Sequence, residues 1–307
     1  MNRIMKKTAA AVLSLAMLAS SAAALNQSSG QNGLAITASA ANNLPPGAIN
    51  AGTYSCFSYW EFSNSVVIYD CSGNPTTVYI PEKINNKPVT DIVSGTFTGK
   101  TALKNVTFYA KIRFLSSETF SGCTNLTSVV LPNSLETIGW NAFNGCSKLA
   151  KIHIPFNTTS VERGAFAGCT ALKLIIAHGN TSFDNDVFKS MFSSTATPFT
   201  GKIYCYQNTL PASFALNKGY NRVFFKMGDV NNDNVINATD ASQILGFYAS
   251  LSTGGNIPAA QREKMEICAD VDRDGRINAV DASAVLGYYA ALATGYTDSF
   301  EYYMANR

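Results

Sequence analysis

Oxygen-bearing side chains recur at fixed spacing twice in this chain. Asp229-Val-Asn-Asn-Asp-Asn-Val-Ile-Asn-Ala-Thr-Asp240 and Asp270-Val-Asp-Arg-Asp-Gly-Arg-Ile-Asn-Ala-Val-Asp281 each place Asp or Asn at loop positions 1, 3, 5, 9 and 12. A hard divalent cation such as Ca²⁺ takes six to eight oxygens at flexible distances, and a loop offering alternate side chains can wrap one ion. The first loop would supply Asp229, Asn231, Asp233, Asn237 and Asp240 with the Val235 carbonyl. The second would supply Asp270, Asp272, Asp274, Asn278 and Asp281 with the Arg276 carbonyl. Position 6 must turn left-handed, which Gly275 does freely and Asn234 tolerates better than other residues. The first loop carries three acids and the second four, so the second is expected to hold calcium more tightly.

Each loop runs into nearly the same apolar segment, Ala241-Ser-Gln-Ile-Leu-Gly-Phe-Tyr-Ala-Ser-Leu251 and Ala282-Ser-Ala-Val-Leu-Gly-Tyr-Tyr-Ala-Ala-Leu292, 41 residues apart. Ile236 and Ile277, at position 8, are placed to pin both loops to one core. From Met227 to about Tyr296 this arrangement resembles a type I dockerin, with Asp at position 12 as in that family and Asn234 as a departure from glycine. The resemblance implies two calcium ions and a cohesin module of a scaffold protein as partner. It also implies partner-facing residues at loop positions 10 and 11 and on the following helix: Ala238, Thr239, Leu245 and Gly246 in one half, Ala279, Val280, Leu286 and Gly287 in the other. Because the halves are alike, either could face the cohesin. The plain alternative for Leu245 and Leu286 is that they are core leucines.

The middle of the chain is periodic. Steps of 23 residues give Phe97, Phe120, Phe143 and Phe166; Gly99, Gly122, Gly145 and Gly168; Leu103, Leu126, Leu149 and Leu172. Two more columns are Ile92, Leu115, Ile138, Val161 and Val106, Val129, Ile152, Ile175. Units this small cannot close a core alone and must stack into a solenoid. The Leu-x-x-Val/Ile segments are expected to form a parallel ladder, with the phenylalanines as a buried spine. Cys123, Cys146 and Cys169 follow the glycines and read as a ladder of small buried thiols. Asn141-Ala-Phe-Asn-Gly-Cys-Ser-Lys-Leu-Ala-Lys-Ile-His-Ile-Pro155 resembles the treponemal-surface-antigen type of bacterial leucine-rich repeat. The array spans Val78 to about Ala177, opened by a hairpin cap over Tyr54–Ile80. Residues 183–225 lose the register and read as the C-terminal cap, with 187–192 as a degenerate unit.

The expected fold is therefore an α+β multidomain chain: a parallel-sheet leucine-rich-repeat solenoid with a hairpin cap, then a small all-α dockerin with two EF-hand-like loops. The boundaries are 1–24 for an export signal, 25–49 for a flexible leader, 50–222 for the repeats with caps, and 223–307 for the dockerin with an aromatic tail. Arg3, Lys6 and Lys7, the apolar run Ala9–Ala19 and the small residues to Ala24 form the signal; Ala38-Ser39-Ala40 is a second cleavage candidate. Removing the signal leaves 20 basic against 20 acidic residues, which gives nucleic acid or an anionic membrane nothing to bind. In an exported protein Cys56 and Cys71 are candidates for a disulfide. The tail Tyr296–Tyr303 is expected to fold back onto Phe224 or Phe225.

Outward ladder rows, Asn105, Ser128, Lys151, Leu174 and Thr107, Val130, His153, Ile176, offer a recognition face. Trp140 and Phe114 are sugar-stacking candidates, though rim packing is the commoner role. Catalysis is not expected. The acids Asp91, Glu118, Glu136 and Glu162 form no facing pair of the kind glycoside hydrolysis needs, and His153 has no evident nucleophile or orienting acid. The reading is a secreted, extracellular, non-catalytic accessory subunit of a cellulosome-type, polysaccharide-degrading complex. Its repeats would bind a protein or glycan, and no segment spans a membrane. Two alternatives stand beside it: a hydrolase or peptidase site hidden in the repeats, or a surface adhesin or inhibitor tethered by its dockerin.

Overall fold

A computed structural model describes residues 44–189, 198–273 and 276–305. The export signal, most of the leader, Asp274 and Gly275, and the second half of the 187–192 unit lie outside the described residues.

The chain opens with an antiparallel meander, β1 (Asn50–Tyr54), β2 (Phe57–Glu61) and β3 (Val66–Cys71), on which Trp60 and Tyr69 stack at 4.4 Å. The hairpin β5 (Lys83–Ile84) and β6 (Lys87–Ile92) joins it, with β6 parallel to β3. This is the hairpin cap. It covers the open end of the coil that begins at β4 (Thr77–Ile80).

From there the strands run parallel. β4 pairs with β7 (Asn105–Phe108) and β7 with β9 (Ser128–Val130). β11 (Lys151–Ile154) lies beside β9 and pairs with β13 (Leu174–Ala177). The 23-residue register ends near Ala177, but the ladder does not. Instead β15 (Lys202–Cys205) pairs with β13, and β16 (Asn221–Phe224) pairs with β15, both parallel. An insertion before β15 and a helix before β16 break the 23-residue spacing while the hydrogen-bond ladder continues. The ladder needs alternating Ile203 and Cys205 facing inward, not a constant loop length. Helix α1 (Leu210–Lys218) closes this end, with Phe214 stacked on Phe183 at 5.2 Å.

A second ladder runs along another edge of the coils: β8 (Phe114–Leu115), β10 (Thr137–Ile138), β12 (Ser160–Val161) and β14 (Ser182–Phe183), all parallel. It contains the buried column Leu115, Ile138 and Val161, so one coil contributes two short strands.

Between the ladders the spine forms as the period requires. Phe97, Phe120, Phe143 and Phe166 are fully buried and stack at 5.1, 5.5 and 5.9 Å; Phe188 continues the row at 6.3 Å. Full burial of each ring contributes roughly 2–3 kcal/mol. The turn after each phenylalanine is left-handed at Gly99, Gly122, Gly145 and Gly168, with φ of 70, 72, 74 and 69°. A side chain there would be strained. The thiols that follow are hydrogen-bonded rung to rung: Cys123, Cys146 and Cys169 donate to the carbonyls of Phe97, Phe120 and Phe143 at 3.1, 3.2 and 3.1 Å. Burial holds all three thiols far above their ordinary range, Cys123 and Cys169 at about 12. They are structural and unreactive.

The C-terminal module is helical: α2 (Ala238–Ser252), α3 (Ala259–Cys268), α4 (Ala279–Ala293) and the short α5 (Phe300–Ala305). Helices α2 and α4 pack on each other around Ile244, Phe247, Val285 and Tyr288. The tail does fold back, but not onto Phe224, which is exposed. Phe300 packs on Tyr288 at 5.0 Å and against Gly228 at the module's other end.

Candidate metal centre and module junction

In each half the loop and its helix are locked together by one carboxylate. Asp240 Oδ1 accepts from the amides of Val230 and Asn231 at 3.0 and 3.3 Å, and its Oδ2 accepts from Asn237 N at 3.0 Å. Asp281 repeats this with Val271, Asp272 and Asn278 at 2.8, 3.4 and 2.8 Å. Asn237 and Asn278 are the N-caps of α2 and α4, accepting from Thr239 N and Val280 N in reciprocal capping boxes. The twelfth loop position therefore also starts the helix, and the chain needs Asp there because Asp reaches back to the cap amide while facing the loop.

The rest of the first loop closes on itself. Asp229 accepts from the amides of Asp233 and Asn234 at 3.2 and 2.9 Å, Asn231 Oδ1 from Asp233 N at 2.8 Å, and Asp233 Oδ1 from Val235 N at 2.7 Å. Asn234 is left-handed with φ of 68°, as position 6 demands. Ile236 is buried beneath it, and the Val235 side chain is exposed.

The second loop gathers its acids more tightly. Carboxylate oxygens of Asp270, Asp272 and Asp281 lie within 4.8 Å of one another, the one such acidic group among the described residues. Burial, then the Asp272 charge, push Asp281 up to about 6 against the lowering pull of its backbone donors. Burial also raises Asp240. Clustered, desolvated carboxylates are unfavourable alone and become favourable around a cation. An oxygen-only donor set with several carboxylates fits a hard divalent ion. Arg276 and Asn278 resume the loop beyond the undescribed 274–275.

The comparisons agree with this geometry. The dockerin type I domain family matches residues 227–288, and the BspA type leucine rich repeat region family matches six copies over 63–195. A BspA-type repeat region is thus followed by a type I dockerin domain. Among solved structures, a leucine-rich repeat protein of T. pallidum is 21% identical over 51% of this chain and 72% of its own, with a TM-score of 0.43. One from Bacteroides ovatus is 21% identical over 53% and 42%, at 0.38. The pneumococcal vaccine antigen PcpA is 18% identical over 58% and 48%, at 0.41. A comparison with curated proteins finds no match. A type I dockerin binds calcium and implies a cohesin partner in a cellulosome-type assembly, and the repeats imply protein interaction. Both are non-catalytic interaction modules. Among the described residues no helix is long and apolar enough to cross a membrane.

The dockerin sits on the solenoid's outward ladder rows. Ile176 is fully buried in the dockerin's own apolar cluster, with Leu174, Tyr204 and Phe225 at its edge. Glu263 of α3 accepts from Tyr204 Oη at 2.9 Å and lies 3.6 Å from Lys202 Nζ; Glu266 pairs with Lys151 at 2.8 Å. The C-terminal half of the expected recognition face is therefore occupied by the chain's own dockerin. Asn105 and Thr107, on the first coils, are not in this junction.

A residue outside the set of oxygen donors sits at its centre. Arg273, position 4 of the second loop with φ of 62°, directs its guanidinium into the junction, reaching Asn133 Oδ1 at 3.4 Å and Met227 Sδ at 3.6 Å. Beneath it His153 Nδ1 and His178 Nε2 are 3.2 Å apart, and Phe225 meets the His178 ring edge-on. Burial holds His153 down to about 3 and His178 well below its usual value, Lys151 adding to the first effect and Arg273 to both. The sequence signal was the mismatch of Arg273 with its counterpart Asn232 in otherwise matching loops.

Of the proposed partner-facing residues, Ala238, Thr239, Leu245, Gly246, Ala279, Val280 and Leu286 are exposed and Gly287 is half-buried. Leu245 and Leu286 are each 42% exposed, so neither is an ordinary core leucine. In the repeats, Glu136 is held by Arg113 at 2.6 Å, and Trp140 and Phe114 project to solvent.

Proposed function

We propose that this chain is a secreted, non-catalytic accessory subunit of a cellulosome-type complex. Its dockerin holds two calcium ions, one in each loop, and plugs into a scaffold cohesin. The first ion would be held by Asp229, Asn231, Asp233, Asn237, Asp240 and the Val235 carbonyl. The second would be held by Asp270, Asp272, Asp274, Asn278, Asp281 and the Arg276 carbonyl. The observation that carries the reading is the repeated double role of Asp240 and Asp281. Each fixes a helix start and faces a loop of oxygen donors, so ion binding and presentation of α2 and α4 are one folding event. Bound calcium supplies the positive charge that offsets clustered carboxylates; the residues themselves set the helix ends that carry Ala238, Thr239, Ala279 and Val280.

Residues 50–222 would form the repeat module and 223–307 the dockerin with its tail, 1–24 serving as export signal. The repeats would bind a protein or glycan through the coils the dockerin leaves open. There Tyr79 and Tyr109, 58% and 60% exposed, stack at 6.3 Å and offer a flat aromatic surface near Asn105 and Thr107. The test is capture of the full chain on an array of cohesin modules in calcium and in chelator. Retention in calcium that vanishes with chelator is the expected result; indifference to calcium sinks the proposal.

A further inference from the structure

The two loop-helix halves match at a spacing of 41 residues, yet the solenoid treats them differently. The second half faces it across a cavity of about 580 Å³. Ala279, Val280 and Ser283 line one wall, and Asn133, Phe156 and Asn157 of the repeats line the other. A smaller cleft beside α2, about 320 Å³, is lined by Gln243, Gly246 and Gln261 among others, all from the dockerin itself. Counterpart residues differ in the same sense: Gln243 is exposed where Ala284 is buried, and Gly246 is exposed where Gly287 is half-buried.

We propose that the solenoid breaks the dockerin's two-fold equivalence, so that a cohesin meets the first half, at Ala238, Thr239, Leu245 and Gly246, and is kept from the second. This rests on the docking function proposed above. The magnitudes decide it. A specific protein interface takes about 800 Å² from each partner, whereas a cavity of this size matches a small-molecule pocket. Val280 is 57% exposed, open to solvent and small molecules, but a folded domain approaching Ala279 and Val280 would meet the turn at Phe156 and Asn157 on the facing wall. The second half cannot easily swing clear. Arg273 and Asp272 of its own loop are tied to Asn133 at 3.4 and 3.5 Å, and Ile176 is buried against the same module. Two of the substitutions that distinguish the halves, Arg273 for Asn232 and Ala284 for Gln243, lie where the second half meets the repeats.

The experiment uses the full chain and the cohesin module selected on the array. One variant carries Ala238→Arg and Thr239→Arg, the other Ala279→Arg and Val280→Arg, each checked for unaltered calcium uptake by calorimetry. The first should weaken cohesin binding about thirtyfold or more and the second by less than about threefold. Adding Ile176→Asp and Glu266→Lys to open the junction should restore binding to the first variant through the released second half. Equal losses in the two variants, retention by the first in the intact chain, or a larger loss in the second would each overturn the inference while leaving the docking function standing. If the unaltered chain binds no cohesin in calcium, the docking function fails and this inference with it.

Discussion

Lys151 Nζ and Glu266 Oε2 lie 2.8 Å apart, one on repeat strand β11 and the other on dockerin helix α3. They join parts of the chain 115 residues apart, but both side chains are well exposed, and such pairs contribute about 0–1 kcal/mol. The neighbouring Ile176, fully buried in the dockerin's cluster, contributes more. The junction is a hydrophobic contact with a charged rim.

That ranking gives a first prediction. Lys151→Ala should lower the stability of the calcium-loaded full chain by less than about 1 kcal/mol. Ile176→Ala should cost about 2–4 kcal/mol. Denaturant titration followed by tyrosine fluorescence separates the two, and equal effects would show that the rim charges hold the modules together.

The calcium loops should be unequal. Asp270, Asp272 and Asp281 already cluster, and the second loop carries four acids to the first loop's three. Calorimetry of the full chain should resolve a tighter and a weaker site. Asp272→Asn, which removes one charge but keeps an oxygen, should weaken the tighter one by about tenfold or more. Loss confined to the weaker site would reverse the assignment.

Much of this was legible because it is written in fixed spacings. The 23-residue columns of Phe97 and Gly99 gave the spine and turns, and positions 1 to 12 of each loop gave the candidate donors, since stacking and coordination both depend on repeated spacing. The junction has no period. Arg273, His153, His178 and Ile176 come from unrelated stretches and meet through tertiary packing; the Arg273–Asn232 mismatch marks one of them, but no local pattern says what they meet. The same limit hid strands β15 and β16. Their hydrogen bonds keep the ladder while the loops between them change length.

Acid should loosen the junction. His178 is buried and His153 half-buried beside it, both near Arg273, so their folded-state affinities for protons fall far below the unfolded value of about 6.5. At pH 7 both states are neutral and nothing is lost. Below about 6.5 the unfolded chain binds protons that the folded chain refuses, so stability falls as pH drops from 6.5 toward 3. His153 keeps a partly exposed edge, which tempers its share; together the pair should cost about 2–4 kcal/mol at pH 5. His178→Gln should flatten that part of the melting-temperature profile, and an unchanged slope would remove the histidines from the account.

Cys56 Sγ and Cys71 Sγ are 2.8 Å apart between the ends of β2 and β3. An oxidant that accepts their two electrons and two protons would close a loop of 15 residues, worth about 3 kcal/mol. Protein recovered from an oxidising medium should therefore alkylate at five of its seven cysteines after unfolding, with the three repeat thiols among the five. Seven alkylated sites would show the pair reduced.

Phe300 ties the dockerin's ends together. Its ring is 1% exposed, packs edge-on to Tyr288 of α4 and lies over Gly228, directly before the first loop. Removing it opens a cavity beside Asp229 without touching any oxygen donor. Phe300→Ala should cost about 3–5 kcal/mol of dockerin stability. Because ion binding and dockerin folding are linked, the loss should also appear as a higher calcium concentration at the midpoint of helix formation, read by far-ultraviolet circular dichroism. The solenoid's unfolding should move less, since Phe300 packs in the dockerin's cluster and the spine of Phe97 to Phe166 in the repeats' own core. A calcium midpoint unchanged by Phe300→Ala would mean that the tail is a passive extension and that the loops fold without it.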